Sequence, residues 1–218
     1  MSQHAYAGAK PAGAKHYGLL ILLQSLFYGF GDALSKAAYG VMPVFSLLSI
    51  RYLIGFACLV LFWGKHIREG LKHCSLKALL LPAFCIAGNY LLNNIAMKHT
   101  SATSVALLRS TSIVMTPILA ALIGHRRYRW QHIPIQLLIL LGIYLLCGRG
   151  GLSSFGLGEI LTLSSALLMA GALVFGNKAL EQVDAVTLSG VQAGTSFTMA
   201  TICAFAFDGG WNLQLMTV

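Results

Sequence analysis

Charge is scarce in this 218-residue chain. Asp, Glu, Lys and Arg together make up 10%, against about 25% in an ordinary soluble domain. So few charges cannot cover the surface of a soluble globule this size. Hydrophobic residues reach 57%, and the mean hydropathy is +0.75. Acidic residues are scarcer still, 6 against 15 Lys plus Arg, for a formal net charge of +9. Such a balance can mark a nucleic-acid binder. Here the basic residues sit in short stretches between apolar runs and form no continuous face, which argues against a nucleic-acid partner. The five cysteines are odd in number, and no two share CxxC spacing. They read as small hydrophobes in helix packing rather than a disulfide framework. No GxSxG, HExxH or P-loop pattern is present, and the histidines avoid the centres of the apolar runs. No catalytic constellation, metal site or cofactor is expected, and the chain does not read as an enzyme. Met1 to Lys15 is a small-residue, polar tail. The apolar run after it is too long for a signal-peptide core.

What the chain has is long hydrophobic runs. A helix crossing the hydrocarbon core needs roughly 20 apolar residues. Runs of about this kind cover residues 17–38, 44–63, 78–97, 101–123, 157–176 and 185–207, with a shorter one at 133–147. Backbone polar groups in lipid must bond within their own segment, so the runs are read as helices. The expectation is an all-α polytopic membrane protein with about seven transmembrane helices. Lys65, Arg68, Lys72 and Lys77 follow the second run; Arg126, Arg127 and Arg129 follow the fourth; Lys10 and Lys15 precede the first. With Lys178 these lie on one side, and only Lys36, Lys98 and Arg149 lie at the other. The positive-inside rule makes the first side, and residues 1–16 as a tail, cytoplasmic. Trp63 and Trp130 fall at that same interface.

Ionisable residues within spans are functional candidates by default. Asp32 and Lys36 lie one turn apart in the first run, Arg51 in the second, Asn89 and Asn93 in the third, Arg109 in the fourth. At roughly 1.5 Å per residue, Asp32, Arg51, Asn93 and Arg109 all fall within about 7–13 Å of the outer surface. Two readings remain open. Either Asp32 and Lys36 form an i,i+4 ion pair while the arginines snorkel, or the groups line a hydrated pocket. The asparagines either line it too or join helices. Arg51 and Arg109 have the planar fork that holds a carboxylate or phosphate. Asp32 suits an amine or a proton, or balances the arginines.

Gly190 and Gly194 form a GxxxG in the last run, and Ala172 and Gly176 repeat the spacing in the run before it, which allows close helix approach. Pro117 should kink the fourth run. Lys36-Ala37, Leu48-Ser49 and Arg51 are echoed by Lys178-Ala179, Leu188-Ser189 and Gln192, about 141 residues later. An odd number of spans separates the copies, so they are inverted in the membrane, as in many transporters.

Phe27-Tyr28-Gly29, Lys36, Pro43 and Arg51, then Ala96-Met97 to Ser101-Ala102, Thr116-Pro117 and Leu141-Gly142, resemble the five-helix EamA-type repeat of the drug/metabolite transporter superfamily. Gly158-Glu159 through Lys178 looks like the start of a second unit. The resemblance covers about residues 17–207. It implies one five-helix repeat over 17–148 and the first two helices of an inverted second repeat in 157–218. The chain departs from the family at Gly124-His125-Arg126, where an acidic then a basic residue is usual, and at Pro134, where a glycine is frequent. The family usually has ten helices. A carrier with two full repeats would run to roughly 290 residues, so the expectation is a fragment. A homodimer, through Gly190 and Gly194, is the rescue expected if seven helices act alone.

The resemblance implies a multi-pass inner-membrane carrier that exports small organic solutes, amino acids or related metabolites, by alternating access. Its partners would be that substrate and the lipid bilayer. The candidate substrate-binding residues are Asp32, Arg51, Asn89, Asn93 and Arg109. The alternative is a membrane-embedded protein that does not transport: an enzyme, or a structural or sensory helical protein.

Overall fold

The computed structural model describes residues 14–72, 74–124, 133–147 and 156–210, which form eight helices and no strands. The helices are α1 (Ala14–Ala38), α2 (Val44–Lys72), α3 (Leu76–His99), α4 (Ala102–Arg109), α5 (Thr111–Gly124), α6 (Ile133–Cys147), α7 (Leu157–Ala179) and α8 (Ala185–Phe207). Among the described residues, four helical stretches are long and apolar enough to cross a membrane: α2, α3, α4–α5 taken together, and α7. α1 and α8 match them in length at 25 and 23 residues, and α6 falls short at 15. The architecture is that of a polytopic helical membrane protein, with fewer than the expected seven spans meeting the criterion. Part of the reason lies in α8, where Thr187, Ser189, Gln192, Thr195, Ser196, Thr198 and Thr201 dilute the apolar run. Lys10, Arg126, Arg127, Arg129, Trp130, Arg149 and most of the expected tail lie outside the described residues.

Two boundaries differ from the sequence expectation. α2 does not end near Trp63 but continues to Lys72. Lys65, Arg68 and Lys72 therefore ride on a helix that outlasts the apolar run. Charged residues with long unbranched side chains are good helix formers, so they end the membrane segment without ending the helix. The fourth run is interrupted at Ser110, not at Pro117, which sits inside α5. There Ser110 Oγ donates to the Ala106 carbonyl (3.2 Å) and Thr111 Oγ1 to the Leu108 carbonyl (2.6 Å). Hydroxyls bonded to preceding carbonyls compete with the helical ladder.

α3 is the central helix. It buries residues on every side, from Leu79 and Pro82 through Ile86, Asn89 and Leu91 to Met97, as a helix wrapped by neighbours must. It packs mainly on α7 and α8. One apolar cluster joins Leu48 of α2, Leu91 of α3 and Ala200 of α8; another joins Ala96, Met97 and Val105. α2 and α8 run antiparallel: Ser49 Oγ meets Thr201 Oγ1 at 2.7 Å, and Phe56 stacks on Phe197 with centroids 6.5 Å apart. Gly190 and Gly194 are consumed in this pairing. A Cβ on Gly190 would stand 2.8 Å from Ile67, and one on Gly194 3.1 Å from Phe56. The GxxxG thus serves close approach of α2 and α8 inside the chain.

Candidate functional site

Residues one turn apart on a helix share a face. On α1 that face carries Gln24, Tyr28 and Asp32. Opposite it, Ser101 caps α4 by accepting the Ser104 amide at 3.0 Å, and Arg109 stands at the far end of that two-turn helix. Between them opens a pocket of about 740 Å³, lined by Gln24, Tyr28, Asp32, Arg109 and Ser112, with Met169 of α7. Its polar floor is an ion pair: Arg109 Nη1 lies 3.5 Å from Asp32 Oδ2, the side chains 23% and 31% exposed. That separation is at the long limit of a hydrogen bond, and only one nitrogen and one oxygen meet. A guanidinium and a carboxylate can pair through two parallel bonds. The single contact leaves further donors on Arg109 and an acceptor on Asp32 without a partner among the described residues.

The guanidinium also lies over the Tyr28 ring, 5.8 Å from its centroid, within cation–π range. Tyr28 hydroxyl shares a hydrogen bond of 3.0 Å with Tyr90 hydroxyl of α3. The network continues: Asn94 donates to the Tyr90 carbonyl at 2.7 Å, and Tyr39 hydroxyl donates to Asn94 Oδ1. Tyr28 and Tyr90 were missed as site residues. The signal for Tyr28 was present, since it precedes Asp32 by four positions. Tyr90 had none, because the approach of α3 to α1 is tertiary.

Arg51 is not in this pocket. It lies against a neighbouring stripe of α1, in a cavity of about 420 Å³ with Gly31 and Ser35. Its Nη1 donates to Ser35 Oγ at 3.2 Å, and no carboxylate among the described residues pairs with it. Gly31 gives it room: a Cβ there would sit 3.4 Å from Nη2. Asn89 and Asn93 are buried within the packing of α3, at 0% and 3% exposure, and line neither cavity. Asn89 donates to the Ser165 carbonyl of α7 at 2.7 Å, joining two helices. The Oδ1 atoms of both asparagines have no hydrogen-bond partner among the described residues.

Asp32 and Lys36 do not pair with each other. Lys36 Nζ donates instead to the carbonyls of Thr100 (2.6 Å) and Met97 (3.3 Å). These stand at the C-terminal end of α3, where carbonyls lack helical partners and the dipole favours a cation. Drawn off in this way, Lys36 leaves Asp32 to Arg109. Thr100 is held further by its hydroxyl, which donates to Glu159 of α7.

At the end of α2 remote from Val44, a second polar contact ties the bundle. His66 Nε2 lies 3.0 Å from Asp184 Oδ2. Asp184 caps α8, accepting the Val186 and Thr187 amides and the Thr187 hydroxyl. The Thr187 hydroxyl bond, and after it His66, hold the Asp184 carboxyl down at about 2.

A model of the EamA-like transporter family matches residues 17–148, more than half of the chain. No curated protein and no solved structure matches it.

Proposed function

Since the chain belongs to the EamA-like transporter family, within the drug/metabolite transporter superfamily, we propose that it carries small zwitterionic solutes, amino acids or related metabolites, outward across the inner membrane. The observation that carries this reading is the Asp32–Arg109 pair on the floor of the pocket between α1 and α4. An arginine within a span costs about 2.5–3.5 kcal/mol even on the lenient insertion scale. Pairing with Asp32 offsets part of that cost in the empty site. An amino acid replaces the contact with two others: its carboxylate on the Arg109 fork and its ammonium on Asp32. Net charge in the pocket is the same loaded and empty, so neither state leaves an unpaired buried charge.

Alternating access follows as the working cycle, with the N-terminus cytoplasmic by the positive-inside rule. The two-unit layout, 17–148 and 157–218, is supported by helix boundaries. α1 ends at Ala38 and α7 at Ala179, α2 begins at Val44 and α8 at Ala185, each pair 141 residues apart. Arg51, in its own cavity, would be a second anion contact beside the pocket. Asn89 and Asn93 would act from behind the site by holding α3 in place. Uptake of labelled amino acids into proteoliposomes tests the reading. Arg109→Leu should abolish transport and Arg109→Lys should retain part of it, because lysine lacks the planar fork. Normal transport by folded Arg109→Leu protein would overturn the assignment.

A further inference from the structure

A third cavity, about 570 Å³, lies away from the ion-pair site along the outside of the α2–α8 pair. Its walls are almost wholly apolar: Val60 and Gly64 of α2, Phe84 of α3, Thr195 and Ile202 of α8, with Arg68 as the one charged residue. From Phe56 to Leu71 it follows α2 for about 22 Å at roughly 1.5 Å per residue. One leaflet of hydrocarbon is about 15 Å deep, half of a ~30 Å core. The apolar run of α2 ends near Trp63, so about 10 Å of the groove lies within the hydrocarbon and the rest, past Lys65, stands at the headgroup layer. Gly64 keeps it open, since a Cβ there would meet only Val60, at 3.4 Å. Arg68 is exposed and pairs with no carboxylate among the described residues. Lys65 and Lys72 flank it on the same helix.

We propose that this groove binds one anionic phospholipid, with an acyl chain along α2 and α8 and the headgroup phosphate on Arg68. An apolar channel that opens from the hydrocarbon into the headgroup layer suits an acyl chain. A lone guanidinium at its end, among further cations, matches a phosphate. Arginine suits this role because its fork takes two phosphate oxygens at once. Of the two threonines of α8 in the channel, Thr198 satisfies its hydroxyl by donating to the Gly194 carbonyl at 2.8 Å.

Trp63, beside Gly64, reports on the groove. In the full chain carrying Trp130→Phe and Trp211→Phe, its fluorescence is read in phosphatidylcholine vesicles doped with acyl-brominated phosphatidylglycerol or acyl-brominated phosphatidylcholine. The brominated anionic lipid should quench at about five-fold lower mole fraction, the size of one basic-residue contact with anionic lipid. Arg68→Gln should erase that preference and Arg68→Lys keep most of it. Lys77→Gln, a nearby charge outside the groove, should leave it intact. Equal quenching by both lipids would overturn the proposal, as would an equal loss in Lys77→Gln, which marks diffuse surface charge. Cross-linking between chains through Val60→Cys in these vesicles would overturn it too, by seating a second copy in the groove.

Discussion

α1 and α7 hold the same place in the proposed repeat and are built in opposite ways. α7 turns small residues toward its neighbours, and Ser165, Ala166, Ala170, Gly171, Ala172 and Gly176 are all buried. Along α1 every described side chain from Gly18 to Phe30 is exposed, large ones such as Leu22, Leu26, Phe27 and Phe30 included. What ties α1 down is polar: Lys36 on the end of α3, Asp32 on Arg109, Tyr28 on Tyr90, Ser35 on Arg51. Shape complementarity fixes α7, whereas a few directional bonds hold α1. A helix held by bonds that a charged solute can replace is suited to move when the solute binds; a helix held by interlocked small residues is not.

Packing provides the largest expected contrast. Ala170 on α7 is 0% exposed, so Ala170→Leu should overpack the interior around α7 and cost about 1–3 kcal/mol or more. Leu26 on α1 is 70% exposed, and Leu26→Ala should stay within about 0.5 kcal/mol. Thermal unfolding of both variants in detergent checks this. Equal losses would break the comparison. Lys36 and Lys178 offer a second contrast, because each lies near the end of its helix, yet the Lys178 side chain is exposed and bonds to nothing among the described residues. Lys36→Met removes charge-assisted bonds of about 1.5–3 kcal/mol and should raise cysteine labelling of α1. Lys178→Met should leave α7 labelling unchanged.

The smallest effect concerns Asp184. Its carboxyl titrates at about 2 rather than its ordinary 3.8. The cap therefore contributes fully above about pH 4 and is lost as pH falls toward 2. The side chain is 39% exposed, so solvent screens much of the effect. Asp184→Asn should lower amide-exchange protection at Val186 and Thr187 at neutral pH. The difference from the parent chain should vanish between about pH 4 and pH 2.

Helix positions were legible in the sequence wherever an apolar run meets a capping residue. α4 begins after Ser101 and α8 after Asp184, and both starts lie within a residue or two of the expected ones. The end of α2 was not legible, since loss of hydrophobicity marks where the membrane stops and not where the helix stops. The site was legible in one dimension. Counting residues gives depth, and it placed Asp32, Arg51, Asn93 and Arg109 at one level. Rotation about each helix axis is set by packing, and it put Arg51 in a separate cavity and turned both asparagines into the α3 interfaces. Lys36 escaped for the same reason: its nearest carboxylate in sequence is Asp32, but free carbonyls of α3 come closer in space.

The central claim is that Asp32 and Arg109 form a site that trades its own ion pair for the two charges of a zwitterion. Equilibrium binding of a small amino acid, its carboxamide and its decarboxylated amine to the purified chain tests this most directly. The amino acid should bind at least about thirtyfold more tightly than either analogue, corresponding to the ~2 kcal/mol lower bound for a buried charge contact. Arg109→Leu should erase its advantage over the carboxamide. Equal affinity for all three ligands, or an unchanged advantage in Arg109→Leu protein, would contradict the account.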